Sequence, residues 1–388
     1  MTNLSIYLLL LFTLSCNEKS NPITEEPIET LNENFVFGAD LSYVNQILDF
    51  DGVYKMDGEE KDPYQIFADY GTTTARFRLF KDPTWTKEVY GENGTQYYNE
   101  INDVKTAIVK TKEAGMTTLL DYHYSDMWAD PGRQEVPAAW EGLEIEAVGD
   151  SIYQYTYNTL MYLYRENALP EMVQVGNENN CGLVHPYANV CESDEWEELG
   201  TLLNRGIDAV RDIENATNKE ITVMLHVAQP ENVNHWFDNV ISVGKVTDFE
   251  VIGFSYYPKW SEIPINRISN YVGNFRVLYD REIMILETAY PWTLTNADGY
   301  GNILGEDSLI EGYDASQEGQ KQFMIDLTQE VINGGGSGIF YWEPAWITSN
   351  LKDLWGQGSS WENNAFFDFE GNVHTGIDFM KYEYDFGQ

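Results

Sequence analysis

Basic residues are scarce in this sequence, and their scarcity narrows the range of partners. The 388 residues include 23 Lys and Arg against 63 Asp and Glu, which gives a net charge of −40 at pH 7. A surface with that charge repels the phosphate backbone of nucleic acids and the headgroups of anionic lipids. We therefore expect no nucleic acid partner, and contact with a membrane only through an attached lipid.

Nucleotide-binding glycine motifs are missing, whereas aromatic residues are plentiful. Neither GxGxxG nor GxxxxGK[ST] occurs, although such motifs mark nucleotide-binding α/β domains. Aromatic residues make up 14% of the chain, with 11 Trp and 26 Tyr. Their rings suit the flat apolar faces of sugars, but a large aromatic core would have the same composition. The composition therefore favours a carbohydrate ligand only slightly.

The first sixteen residues, MTNLSIYLLLLFTLSC, are apolar but shorter than the roughly 20 residues that a spanning helix needs. We interpret residues 1–16 as a lipoprotein-type signal peptide that ends at a lipid-modified Cys16. The polar residues 17–33 then form a flexible tether. This predicts an exported protein anchored at a bacterial outer membrane or cell surface. No Lys or Arg precedes the apolar run, and Thr13 replaces the usual aliphatic residue. A periplasmic or secreted protein is therefore the alternative.

Cysteine is rare, with three in the chain. If Cys16 carries a lipid, Cys181 and Cys191 remain, and they flank the short loop CGLVHPYANVC. In an oxidising compartment this arrangement favours a disulfide, although spacing alone does not fix the Cα distance that a disulfide requires. We predict that Cys181 and Cys191 are bonded.

Apolar runs with strand-forming residues alternate with amphipathic stretches along the rest of the chain. One such stretch, residues 100–115, places Ile101, Val104 and Ile108 on one helical face, and Ser193 is predicted to cap a later helix. Eight strand–helix units predict an α/β fold, a single (β/α)8 TIM barrel over residues 34–388, better than an open doubly wound sheet. The predicted strands are 35–44, 73–80, 117–124, 172–178, 221–228, 249–257, 283–290 and 337–343.

Polar residues recur where these strands end, which in a TIM barrel is the side of the active site. A single acid there is more often structural, but Glu178 and Glu287 end two different strands, and glycoside hydrolysis needs two carboxylates. A catalytic zinc ion is the weaker interpretation of the polar residues, because only His123 and His226 are histidines at strand ends. We expect the polar residues Asp121, His123, Asp126 and Asp130 to bond to sugar instead.

Seven motifs lie at the ends of the predicted strands, namely FGADLSYV, RFRLFKDP, DYHYSDMWADPGRQEVPAAW, VQVGNEN, VIGFSYYPKW, ILETAYPW and GIFYWEPAW. Together they resemble glycoside hydrolase family 53, the endo-β-1,4-galactanases of a clan of retaining (β/α)8 glycosidases. The resemblance covers nearly all of residues 35–375, and HYSDMWADPG is its most specific part. It implies that Glu178 is the general acid/base and Glu287 the nucleophile. It also implies that the substrate is β-1,4-galactan, the side chains of pectin, cut internally.

The roles of the neighbouring residues follow from these two assignments. Glu287 must stay ionised, and either Arg76 or Arg78, with a tyrosine hydroxyl from SYYP, is expected to keep it so. An internal layer of ion pairs is the alternative role of the two arginines, which share strand parity and should both point into the barrel. Asn177 is expected to bond the sugar 2-hydroxyl, and Trp128 and Trp342 to stack on galactose. The predicted substrate-binding residues are Asp40, Arg76, Arg78, His123, Asp126, Trp128, Asn177, His226, Tyr256, Tyr257 and Trp342.

The loop TNADGYGN suggests a structural calcium ion, although no cofactor is expected for the chemistry. Some bacterial members of the family hold calcium in the long loops at this end of the barrel. Oxygen ligands at alternate positions around glycine are typical of calcium loops, and a glycine-rich turn capped by Asn side chains is the alternative. The predicted ligands are Asn296, Asp298, Tyr300 and Asn302, with Ser360 and Glu362 closing the shell.

Two rival functions remain at this stage. One is another retaining endo-glycanase of the clan, a β-mannanase or a xylanase. The other is a lipid-anchored protein that binds glycan on a catalytically inactive barrel, which the presence of both Glu178 and Glu287 disfavours. We expect a monomer.

Overall fold

The computed structural model describes residues 35–387. The predicted signal peptide, the lipid-modified Cys16 and the tether lie outside these residues. Within 35–387, no helix is both long and apolar enough to cross a membrane.

Eight parallel strands close into a barrel, which confirms the predicted fold. Each strand pairs with the next along the chain, and β1 pairs with both β2 and β8. The strands are β1 Val36–Asp40, β2 Thr74–Leu79, β3 Thr117–Tyr122, β4 Met172–Val175, β5 Thr222–Ala228, β6 Val251–Ser255, β7 Glu282–Thr288 and β8 Gly338–Tyr341.

Helices follow every strand from β1 to β7 and cover the barrel. The helix predicted over residues 100–115 spans Ile101–Glu113 and buries Val104 and Ile108. The helices are α1 Val44–Asp49, α2 Pro63–Asp69, α3 Trp85–Glu88, α4 Ile101–Glu113, α5 Ile145–Arg165, α6 Trp196–Thr217, α7 Pro230–Ser242, α8 Ile268–Tyr279 and α9 Gln317–Asn333.

Three details of the sequence prediction were wrong. The first strand, predicted over residues 35–44, ends at Asp40, and Val44 already begins α1. Ser193 does not cap α6, because Asp194 adopts a left-handed conformation (φ 56°) and the helix begins only at Trp196, after Glu195. The predicted β4 also extended too far, since the strand ends at Val175 and the chain turns before Glu178. The Cys181–Cys191 disulfide is present as predicted, with its Cα atoms 4.9 Å apart.

The barrel interior has two layers of different chemistry. The lower layer is an apolar cluster formed by Val36, Leu119, Met224, Val251, Met284, Leu286 and Phe340. Two glycines make room for its largest members: a Cβ on Gly38 would lie 2.0 Å from the Phe340 ring, and one on Gly253 would lie 2.1 Å from Leu286. The upper layer, towards the carboxyl ends of the strands, consists of buried polar side chains, namely Asp40, Arg76, Arg78, Asp121, Gln174 and His226.

Candidate active site

Glu178 reaches the mouth of the barrel through a sharp turn after β4. Gly176 (φ 82°) and Glu178 itself (φ 44°) both have left-handed backbones. Glycine adopts this conformation freely, whereas for glutamate it is uncommon. A Cβ on Gly176 would also lie 2.4 Å from the Asn179 side chain. The local backbone is therefore specialised to turn Glu178 out of the strand line and into the cavity.

Glu287 faces the same cavity because of a β-bulge in β7. On β6, Phe254 pairs with Ile285 but the next residue, Ser255, pairs with Glu287, so Leu286 is an extra residue in β7. The pairing of β7 with β8 shifts at the same place. In a regular strand consecutive side chains point to opposite faces. Here Leu286 belongs to the lower layer, yet Glu287 still lines the cavity, since a bulge re-aims the side chain that follows it.

The two carboxyl groups lie at a distance typical of one kind of glycosidase. An oxygen of Glu178 and an oxygen of Glu287 are within 4.8 Å of each other and of a ring nitrogen of His226. Retaining glycosidases hold their carboxyl groups about 5 to 5.5 Å apart, whereas inverting enzymes separate them further to admit water. This trio is poorly suited to a metal ion, because both ring nitrogens of His226 already bond to protein, one to Asn177 and one to Ser255.

The two carboxylates have different partners. Arg76 donates to Glu287 Oε1 at 2.9 Å, and the Tyr257 hydroxyl donates to Glu287 Oε2 at 3.3 Å. Glu178 has a neutral partner, the hydroxyl of Ser255, 2.5 Å from Glu178 Oε1. Positive charge and hydrogen-bond donors stabilise a carboxylate, so the contacts favour the anion at Glu287.

The two carboxyl groups are also coupled electrostatically. Burial raises the pKa of Glu178 to about 7, with Asp130 adding to the rise and Ser255 and Arg76 opposing it. Burial also raises the pKa of Glu287, which the Arg76 guanidinium lowers and the charge of Glu178 raises. Two carboxyls this close do not ionise independently, and near neutral pH they hold one proton between them. The contacts of Glu287 with Arg76 and Tyr257 place that proton on Glu178.

The arginines of β2 both point into the barrel, as predicted, but they have different partners. Besides Glu287, Arg76 bonds to Asp40 at 3.2 Å and to Asp121 at 2.9 Å. Arg78 does not reach the nucleophile position.

Arg78 instead pairs with Glu343 at 2.5 Å. Its guanidinium carbon lies 4.1 Å from the ring centroids of both Tyr43 and Trp128. Both predicted roles of the arginines therefore occur. Arg76 alone contacts Glu287, and both arginines form ion pairs inside the barrel.

Four of the predicted substrate-binding residues line a cavity of about 740 Å³ with the two glutamates, namely Trp128, Asn177, Tyr257 and Trp342. The Asn177 amide already bonds to protein: Nδ2 donates to the Ala129 carbonyl at 2.8 Å, and Oδ1 accepts from Arg76 at 2.9 Å. The second hydrogen of Asn177 Nδ2 is the one that would be donated to the oxygen of a sugar hydroxyl.

The other predicted substrate-binding residues are placed below or beside the cavity, which corrects the expectation that they contact sugar. Tyr256 donates its hydroxyl to the Ile263 carbonyl, and Asp126 accepts from the Ala138 amide. Most polar atoms of these side chains bond to other protein groups, as expected because a buried polar group without a partner is costly, but Arg78 Nε, Arg78 Nη2 and Asp126 Oδ1 have no hydrogen-bond partner among residues 35–387. The residues concerned are Asp40, Arg76, Arg78, His123, Asp126, His226 and Tyr256.

Several side chains that shape the site were not predicted from the sequence. Ser255, which contacts Glu178, follows the inward-facing Val251 and Gly253 at alternate positions of β6, so strand parity was the available signal. Trp260 and Trp355 line the cavity and are 49% and 53% exposed. Both lie in loops, where no periodicity indicates the direction of a side chain.

The predicted calcium-binding residues do come together. Asn302 donates to Asn296 Oδ1 at 2.6 Å, and the Ala297 amide donates to Glu362 Oε1 at 2.7 Å. The two oxygens of Asp298 accept from the Tyr300 and Ser359 amides. Each of these carboxylate oxygens keeps a lone pair, so the oxygen-rich loop is compatible with calcium, although its ligands are now held by backbone amides.

Comparison with known proteins places the chain among glycosidases. Residues 36–380 match the sequence model of a family described as "Glycosyl hydrolase family 53". An arabinogalactan endo-β-1,4-galactanase of Cellvibrio japonicus (strain Ueda107) is 42% identical over 357 residues, covering 91% of this chain and 92% of the relative.

Two further relatives agree. An endo-β-1,4-galactanase of Bacillus subtilis (strain 168) is 32% identical, covering 92% of this chain and 87% of its own. Among solved structures, the Ignisphaera aggregans GH53 catalytic domain superposes with a TM-score of 0.81 at 34% identity, covering 94% of this chain and 99% of that domain.

Proposed function

We propose that this chain, which belongs to glycosyl hydrolase family 53, is an endo-β-1,4-galactanase in which Glu178 and Glu287 cleave galactan by double displacement. The observation that carries this assignment is the pair itself. Two carboxyls lie within 4.8 Å of each other at the barrel mouth, and only one of them contacts an arginine.

In the first step Glu287 attacks the anomeric carbon of the sugar. The carbon–oxygen bond to the leaving chain breaks, and an ester bond forms between the anomeric carbon and Glu287. Glu178 gives its proton to the departing oxygen, which leaves as a hydroxyl group. Arg76 and Tyr257 keep Glu287 in the ionised form that attack requires.

In the second step water releases the sugar. Glu178, now a carboxylate, takes a proton from water, whose oxygen bonds to the anomeric carbon as the ester to Glu287 breaks. Two inversions give net retention of configuration. The proton affinity of Glu178 falls in the intermediate, because Glu287 no longer carries a negative charge.

The substrate proposed is the neutral β-1,4-galactan side chain of pectin (type I arabinogalactan). Trp128 and Trp342, which line the cavity, stack on sugar rings without the aid of charge. Trp260 and Trp355 extend the aromatic surface at the rim. With a net charge of −40, the protein repels the galacturonate backbone.

Product analysis on linear galactan tests this function. We expect internal cleavage to short oligosaccharides, and no cleavage of polygalacturonate at low salt or at 1 M salt, where the screening length is about 3 Å. Degradation of polygalacturonate at high salt would mean that charge was the only filter, and the galactanase function would fail.

We also propose that the chain is exported and lipid-anchored through Cys16, and that it acts as a monomer. Cys16→Ala should then release the protein from membranes without lowering its specific activity. Calcium is proposed as a structural ion at Asn296, Asp298 and Asn302, with Glu362 from the neighbouring loop, where it would order the rim of the cavity.

A further inference from the structure

Glu178 is the first member of a chain of hydrogen bonds that runs back into the barrel. Ser255 Oγ lies 2.5 Å from Glu178 Oε1 and 3.0 Å from His226 Nε2. His226 Nδ1 lies 2.9 Å from Asn177 Oδ1. Ser255, His226 and Asn177 come from three adjacent parts of the barrel, β6, β5 and the turn after β4. The direction of each bond decides which form of Glu178 the chain supports.

The far end of the chain has an unambiguous direction. Asn177 Nδ2 faces the Ala129 carbonyl, which only accepts, and Asn177 Oδ1 faces Arg76, which only donates. These two contacts fix the orientation of the Asn177 amide. Its oxygen is therefore the atom that faces His226 Nδ1, and a hydrogen bond there requires a proton on Nδ1.

His226 has one ring proton to give. It is fully buried, and burial lowers its pKa well below the usual value, with Arg76 and His123 adding to the effect. The imidazole is therefore neutral, and with the proton on Nδ1 its Nε2 carries a lone pair. Gln174 Nε2 also lies 3.3 Å from Nδ1, but its two hydrogens have three closer acceptors, namely Asp121 Oδ1, the Gly176 carbonyl and Asn177 Oδ1.

The lone pair of His226 decides the direction of the Ser255 hydroxyl. Ser255 has a single hydrogen, and both His226 Nε2 and Glu178 Oε1 lie within its reach. We propose that Ser255 and His226 form a hydrogen-bond switch for Glu178. In the resting enzyme the Ser255 hydroxyl donates to His226 Nε2, and Ser255 Oγ accepts a hydrogen bond from the protonated Oε1 of Glu178. This inference rests on the proposed role of Glu178 as the acid.

The switch has a second position for the second half of the reaction. When Glu178 has given its proton to the leaving oxygen, the Ser255 hydroxyl rotates and donates to the Glu178 carboxylate. His226 Nε2 then loses its donor until Glu178 takes a proton from water and Ser255 turns back. A hydroxyl fixed as a donor to Glu178 would always favour the carboxylate, and the competition from His226 offsets that preference. Ser255 and His226 are positioning residues in this scheme.

Fixed charges also act on Glu178 and must be separated from the switch. Asp121, Asp130 and Glu287 disfavour its anion, whereas Arg76 favours it. The electric fields of these groups do not depend on which way the Ser255 hydroxyl points. Their contribution therefore cancels when the effect of a His226 substitution is compared with and without Ser255. The charged and titratable groups facing Glu178 and His226 are Arg76 from β2, Asp121 from β3, His123 and Asp130 from the loop after β3, Tyr257 after β6 and Glu287 from β7.

The first test reads the proton on His226 directly and needs no turnover. Histidine labelled with ¹⁵N in the wild-type protein gives at most five ring systems, and the signals missing from His226→Leu identify residue 226. We expect a neutral ring at pH 6 with its proton on Nδ1. A proton on Nε2, or on both nitrogens, would overturn the switch.

The second test measures how His226 affects the alkaline limb of the kcat/KM profile on galactan. Without an acceptor at position 226, Ser255 donates to the Glu178 carboxylate unopposed. We therefore expect His226→Leu to move the limb to lower pH by about one pH unit, the tenfold change that one hydrogen bond supplies. In a Ser255→Ala background the same substitution should cause no such shift.

Equal shifts in the two backgrounds, or none in either, would overturn the proposal. His374→Leu is the matched control, since His374 is another buried histidine with both nitrogens bonded to backbone, and it should not move the limb. If His226→Leu does not fold, the ring proton is located from the wild-type spectrum alone, since His226 is the one fully buried ring whose two nitrogens both face side chains. Full activity of Glu178→Ala would instead refute the proposed function. The ring proton of His226 could still be located in that case, because its measurement needs no turnover.

Discussion

The two layers inside the barrel differ in what their side chains are selected to do. In the lower layer Phe340 and Leu286 fill the space that Gly38 and Gly253 leave open, and such packing contributes stability in proportion to the area and volume it fills. The upper layer buries charged groups such as Arg76 and Asp121, and buried ion pairs stabilise a fold weakly because desolvation offsets their attraction. We infer that the lower layer holds the barrel closed and that the upper layer is retained because it sets the protonation of the catalytic pair.

Among the tests of this difference between the two layers, the largest loss of activity is expected at Glu287. Glu287→Ala removes the nucleophile and should reduce galactan hydrolysis below detection while the protein stays folded. Azide entering the vacated space should yield a glycosyl azide of inverted configuration. Circular dichroism and product stereochemistry are the measurements, and full activity in this variant would contradict the assignment.

Removing Glu178 should have a smaller and more selective effect. For galactan, Glu178→Ala should lower the glycosylation rate by roughly 10²- to 10⁴-fold, the usual contribution of a general acid. Aryl galactosides with good leaving groups need no protonation and should keep most of that rate. Pre-steady-state release of the aryl group measures it, and an equal loss on both substrates would show that Glu178 is not the acid.

A substitution in the lower layer should have the opposite effect, lowering stability and sparing activity. Phe340→Ala is expected to lower the free energy of unfolding by about 3 to 5 kcal/mol, with little change in the specific activity of the folded protein. Gly38→Ala should destabilise the wild type by steric clash but should partly restore stability in Phe340→Ala, where its methyl group fills the void. Denaturant titrations of the four proteins give the coupling, and additive effects would mean that the two sites do not share a space.

These contrasts also show what the sequence is able to reveal. Hydrophobic runs and their spacing located all eight strands, and motif resemblance pointed to Glu178 and Glu287, which line one cavity, because both signals are local. The bulge at Leu286 was not predicted, since one extra residue in a strand leaves no trace in an apolar pattern. Arg76 and Arg78 have the same parity, so their different partners depend on height in the barrel, which is a property of the register between strands and not of the sequence of one strand.

A pH profile should sharpen the role of the upper layer. Because the pKa of Glu178 is raised to about 7, its acid form is present below that pH and is lost as the pH rises through it. For galactan, kcat/KM should then fall about tenfold per pH unit above 7. Aryl galactosides with good leaving groups serve as the control and should lack this limb. The same alkaline limb for both substrates would assign it to another group.

The smallest effect is expected outside both layers, in the loop that carries Asp298. Calcium at five times its Kd should stabilise chelator-treated protein by about 1 kcal/mol through mass action, and activity need not change. A thermal melt with and without calcium measures the shift, and Asp298→Asn is the control that should abolish it. An unchanged Tm at saturating calcium would exclude the site.

The bulge in β7 makes the local pairing of the strand, more than its composition, the property that aims Glu287 into the cavity. If β7 alternated regularly at its present length, Glu287 would lie on the face opposite to Leu286 and would point towards the surrounding helices. Ile283 and Ile285, by contrast, face those helices, so apolar exchanges there alter packing without moving the carboxylate. For library design, β7 is therefore a segment in which apolar exchanges at Ile283 and Ile285 can be sampled while the bulge at Leu286 is kept.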